Sequence, residues 1–109
     1  MTAFAVRLTS GARKDLQSIH GYIAASDSRD KADYVVHSIL RVIESLAELP
    51  LRGVIPKELA ALGNRNYREL FFKPYRILYT VRENTVFIAL IADGRRDMQS
   101  LLSNRLLRS

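Results

Sequence analysis

Cysteine is absent from this chain, so no disulfide frames its fold, and the absence fits a reducing compartment. Long apolar runs are missing as well. The longest, Val86 to Ala92, falls far below the roughly 20 residues that span a bilayer. The start, Met1-Thr2-Ala3-Phe4-Ala5-Val6-Arg7, has no apolar stretch behind a basic region and so does not read as a secretory signal. A soluble, cytoplasmic protein with no membrane partner is expected. Metal-binding spacings are lacking too. His20 and His37 fall on helical stretches without nearby ligand-type residues, and Asp15, Asp27, Asp30 and Asp33 lack the spacing of a calcium loop. No glycine-rich phosphate loop is present. No metal and no cofactor is expected.

What remains is a small basic chain. Its 109 residues suffice for one core without disulfides, so residues 1–109 read as a single domain. Lysine and arginine number 17 against 11 aspartates and glutamates, a net charge of +6 carried mostly by arginine. Such a surface favours acidic partners, and it also keeps a small domain soluble.

The stretch from Tyr67 to Asp97 organises the rest. Tyr67 to Phe72 is a first apolar run, broken at Lys73-Pro74 because proline lacks the N–H of a central strand. Tyr75 to Arg82 is dense in aromatic and β-branched residues and ends at Glu83-Asn84. Thr85 to Ala92 is almost wholly apolar and stops at Asp93-Gly94, which predicts a central strand covered on both faces. Links this short force an antiparallel meander, because parallel neighbours need a long crossover.

Upstream, Phe4 to Leu8 predicts an outer strand, and Thr9 or Ser10 can cap a helix. Ala12, Leu16, Ile19 and Ile23 line one face of that helix. The polar stretch Ser26 to Asp30 ends it. A second helix carries Ala32, Val35, Val36, Ile39, Val42, Ile43, Leu46 and Leu49 in the same period, up to Pro50. Lys57 to Leu62 can make a turn or two of helix inside an irregular segment. Met98, Leu101, Leu102, Arg105 and Leu106 are spaced for a short final helix. The expected fold class is α+β, in the order β-α-α-β-β-β: a helix hairpin packed on one face of a small, mainly antiparallel sheet, with a short C-terminal helix.

Tyr75-Arg76-Ile77-Leu78-Tyr79, a turn, an apolar strand and then Asp93-Gly94-Arg95-Arg96-Asp97 together resemble the C-terminal half of the ParE/RelE superfamily of bacterial type II toxins. Ala12, Asp15-Leu16, Ile19 and Tyr22-Ile23, with the exit Leu46, Leu49-Pro50 and Gly53, extend the resemblance over nearly the whole chain. One branch of the superfamily, RelE-like, consists of ribosome-dependent mRNA endonucleases. That chemistry needs a base for the ribose 2′-OH, cations for the phosphorane-like charge and an acid for the leaving oxygen. Arg76 and Arg96 match two of its arginines. Tyr67 and Glu69 stand where RelE carries lysines, Leu102 stands near its C-terminal tyrosine, and no tyrosine or histidine follows Asp97. On this branch Tyr75 or Tyr79 would join Arg76 and Arg96 as catalysts.

The other branch is the better match. Arg96-Asp97, Leu101 and Asn104-Arg105-Leu106 resemble ParE tails. ParE proteins inhibit DNA gyrase and are silenced by a ParD-type antitoxin. The resemblance therefore implies a gyrase-directed toxin rather than an enzyme, with Arg95, Arg96, Asp97, Arg105 and Arg108 contacting the target. It also implies a cognate antitoxin, which can build a higher-order complex, and no sequence-specific nucleic-acid binding. A binding module that keeps the fold without toxicity is the third reading. Structural roles stay open beside these: Arg76 pairing with Asp97 or Glu69, Arg96 pairing with Asp97, Tyr75 and Tyr79 lying in the core.

Overall fold

The computed structural model describes residues 3–107. Strand β1 (Ala5–Leu8) leads into helix α1 (Ser10–Ser26), and helix α2 (Arg29–Glu44) runs on into a 3-10 turn, Ser45–Ala47. A one-turn helix α3 (Lys57–Ala60) precedes strands β2 (Arg68–Phe72), β3 (Tyr75–Arg82) and β4 (Thr85–Asp93). Helix α4 (Met98–Leu102) ends in a π turn, Ser103–Leu107. The predicted order β-α-α-β-β-β is the observed one.

Local chemistry sets the hairpin. Thr9 caps α1, accepting from the Ala12 N–H at 3.1 Å while its hydroxyl donates to the Ile88 carbonyl at 2.9 Å. Ser28 caps α2 by accepting from the Lys31 N–H at 3.0 Å. Asp30 in the first turn of α2 and Arg41 in its last complement the helix dipole. Across the hairpin His20 Nε2 lies 2.8 Å from Asp33 Oδ1, so this histidine does have a ligand-type neighbour, against the expectation from the sequence.

The sheet order is β1-β4-β3-β2, with β1 parallel to β4 and the meander antiparallel. The apolar β4 is therefore central, as its composition predicts. A bulge at Ala89 shifts the register between Leu78 and Tyr79 of β3, and it moves the inward face of β4 from Val86 and Ile88 to Ile91. One core joins Ala12, Ile23, Ala32, Val35, Ile39 and Ile43 of the hairpin to Leu70, Ile77, Tyr79, Val86, Ile88 and Ile91 of the sheet. A second lies on the opposite face, where Leu59 of α3 and Met98 and Leu102 of α4 cover Leu78, Leu90 and Ala92. Helices thus pack on both faces, not on one. The hairpin stripe accounts for the first face; the two expected short helices, of four and five residues, supply the second. Among the described residues no helix is long and apolar enough to cross a membrane.

Candidate functional site

The sharpest polar feature of the sheet is an ion-pair network around Arg76. Its register partner across the β2–β3 ladder is Phe71, which places it beside Glu69 on the face covered by α3. Arg76 Nε donates to Glu69 Oε1 at 2.7 Å, and its two terminal nitrogens fork onto Glu58 of α3 at 2.8 Å each. Glu69 is buried, at 5% exposure. The fork holds the Glu58 carboxyl down at about 2, and the two carboxylates push the guanidinium above its ordinary value. Burial raises Glu69 against the opposing pull of Arg76. Gly94 makes room for this arginine: a Cβ there would lie 2.9 Å from Arg76 Cδ. Of the two partners expected from the sequence, Glu69 is present and Asp97 is not. Glu58 escaped notice because it sits in the irregular segment before β2.

Tyr79 is fully buried, and its hydroxyl accepts the Gly53 N–H at 2.9 Å. Burial raises its pKa. Tyr75 is half-buried and raised by burial first and by the Asp93 charge second. It lines a cleft of about 430 Å³ between α1 and the end of β4, together with Asp15, Tyr22, Asp93, Arg95 and Arg96. Tyr22 stands 74% exposed at its wall. Tyr75 and Arg96 thus meet in one cavity, while Tyr79 lies in the core and Arg76 is held by two glutamates.

The same cleft holds two of the predicted target-contact residues, Arg95 and Arg96. Arg95 Nη2 meets Asp93 Oδ2 at 2.6 Å, yet the arginine side chain keeps 78% of its surface exposed. Its guanidinium holds Asp93 below the usual carboxylate range. Arg96 is exposed, and its backbone N–H donates to the Asp93 carbonyl at 3.1 Å. Asp97 is not bonded to Arg96; it caps α4, accepting from the Ser100 N–H at 3.2 Å and the Ser100 hydroxyl at 2.8 Å, bonds that lower its pKa.

Arg105 reaches back from the tail. It forks onto Asp15 at 3.0 Å per bond and donates to the Ala89 carbonyl at 3.1 Å, beside the bulge. Asp15 Oδ2 also accepts the Ile91 N–H at 3.0 Å, so one carboxylate ties α1, β4 and the tail together. Gly11, one turn before Asp15, leaves the space: a Cβ there would lie 2.6 Å from Arg105 Nη2. Asp15 was visible in the sequence only as an acidic position of α1. Arg108 lies outside the described residues.

The meandering sheet thus carries an Arg–Glu network on one face and a helix hairpin on the other, with an arginine-bearing turn at its end. Solved structures share this fold. The chain resembles the chromosomal ParDE toxin–antitoxin system of P. aeruginosa with a TM-score of 0.71 at 20% identity, over 84% of this chain and 96% of that one. It resembles the RelBE2 toxin–antitoxin complex of Mycobacterium tuberculosis with a TM-score of 0.61 at 21% identity, over 85% and 93%. A free mutant form of E. coli RelE gives 0.60 at 10% identity, over 91% and 92%. No curated protein matches in sequence. The sequence profile of the family "ParE toxin of type II toxin-antitoxin system, parDE" matches residues 6–98, and the chain belongs to that family.

Proposed function

We propose that this protein is a toxin that acts by binding, with DNA gyrase as its target and a ParD-like antitoxin as its silencer. The observation that carries the reading is the state of Arg76. A catalytic arginine must be free to meet a developing phosphorane charge, whereas this one is committed at three nitrogens to Glu58 and Glu69. A buried glutamate at that spot also opposes an RNA phosphate. The exposed groups are Arg95 and Arg96, at a turn beside a cleft, which suits contact with a macromolecular target. Gyrase comes from the family reading, and the antitoxin from the same reading and from neighbours solved as toxin–antitoxin systems.

A second reading keeps one observation of its own. Tyr75 and Arg96 line the same cleft, so a ribosome-dependent nuclease would draw on that pair. Controlled expression in a bacterial host, with DNA and protein synthesis followed by separate labelled precursors, decides between them. A prompt fall in DNA synthesis with gyrase-linked breaks is expected. A prompt fall in translation with cleaved mRNA would overturn the gyrase reading, and no growth defect would leave a binding module.

A further inference from the structure

Apart from the cleft of Arg95 and Arg96, a groove of about 550 Å³ lies between the segment before β2 and the far end of β3. Three arginines line it, Arg65, Arg68 and Arg82, and none of its lining residues carries a carboxylate. Arg68 is committed to the backbone, donating to the Gly53 carbonyl at 2.8 Å. Arg65 and Arg82 are exposed and have no ion-pair partner among the described residues. They stand on fixed backbone. The Asn66 N–H donates to Asn64 Oδ1 at 2.9 Å, and the Thr80 hydroxyl ties the Asn66 carbonyl to β3 at 2.8 Å. Leu51, at 61% exposure, Val81 and Leu106 of the tail add aliphatic surface beside Tyr67 and Tyr79.

We propose that this groove docks an acidic peptide segment, whose carboxylates pair with Arg65 and Arg82 while its aliphatic side chains cover Leu51 and Leu106. A single-stranded nucleic acid would find two cations here but no row of flat aromatic faces on which successive bases stack; Tyr67 is the one exposed-side ring of the lining besides buried Tyr79. Free arginines beside exposed leucine suit an amphipathic acidic chain, and the net charge of +6 speeds its approach. The proposal rests on the toxin reading only for its natural occupant, an acidic stretch of the antitoxin.

The test is fluorescence anisotropy on the full chain with a short labelled peptide of alternating glutamate and leucine, against oligothymidylate of equal length, at physiological salt. The peptide is expected to bind and the oligonucleotide to bind more weakly. The double variant Arg65→Ala/Arg82→Ala, whose positions are exposed and outside both cores, should melt like the parent and lose peptide affinity by about tenfold or more, the worth of one charge-assisted hydrogen bond. Arg41→Ala on α2 should lose none. Absence of peptide binding, equal affinity in the double variant, or tighter oligonucleotide binding would overturn the proposal. Neutralisation of the double variant by its antitoxin at parental potency would do so while leaving the toxin reading intact. A chain without toxicity that still shows the arginine-dependent binding would sink the toxin reading alone.

Discussion

Replacing Arg76 by alanine tests whether this arginine is a structural tie. The substitution leaves Glu69, 5% exposed, and Glu58, whose side chain is 19% exposed, without their cation. Breaking a buried pair by removing one partner costs about 3–5 kcal/mol. For a domain of this size that is a fall in melting temperature of about 12–20 °C. The pH dependence is more diagnostic. Burial already raises Glu69 with Arg76 in place, and without the guanidinium nothing opposes that rise. A carboxyl raised on folding binds its proton more readily in the folded state, so the variant gains stability as pH falls. The difference between Arg76→Ala and the parent should therefore be full near pH 7 and narrower at about pH 5. Urea unfolding followed by circular dichroism at the two pH values measures it, with Arg76→Ala/Glu69→Gln expected to recover part of the loss. A cost under about 1 kcal/mol, the range of a surface pair, or a gap that does not change with pH would refute the reasoning.

The intact protein should itself lose stability in acid: Glu58 is held at about 2 against an ordinary 4.5, so its contribution is full above the higher value and disappears as pH falls through the lower, readable as an acid melt shifted in Glu58→Gln. Tyr79→Phe strips the buried Gly53 N–H of its acceptor and should cost about 1–3 kcal/mol in urea unfolding; no measurable change would mean that the N–H finds another acceptor. Gly53→Ala should also destabilise by about 1–3 kcal/mol, because its Cβ would lie 2.6 Å from the Tyr79 hydroxyl and 2.7 Å from the Glu69 carbonyl oxygen. Asp97→Ala should speed amide exchange at Ser100 while leaving global unfolding nearly unchanged, since the cap serves a five-residue helix.

The meander and hairpin were legible because each segment is long enough to show its period and each break is chemically marked. Lys73-Pro74, Glu83-Asn84 and Asp93-Gly94 sit at the three strand ends, and Thr9 and Ser28 cap the helices as expected. The two short helices were legible, but the face they cover was not. Leu59, Met98 and Leu102 belong to helices of four and five residues, too short for an apolar stripe that shows which side of the sheet they pack on. At the site, Arg76 with Glu69 could be argued from two polar residues in an apolar sheet. Glu58 and Asp15 could not, because their partners lie 18 and 90 residues away in sequence, and pattern carries no information at that range. The Arg65–Arg82 groove was hidden for the same reason: its cations come from a loop and from a strand end that only the fold brings together.

The parallel pairing of β1 with β4 has a consequence for the order in which the chain is made. Ala5 to Leu8 are made well before their partners, Thr85 to Ile88, which lie 80 residues further along the chain. The helix hairpin can form early, but its apolar stripe stays uncovered until the meander follows, and the Arg105–Asp15 fork closes only once Arg105 has been made. Contacts of such separation form late, after most of the loop-closure entropy has been met. A growing chain thus presents an acceptor for hydrophobic partners well before it presents a finished toxin.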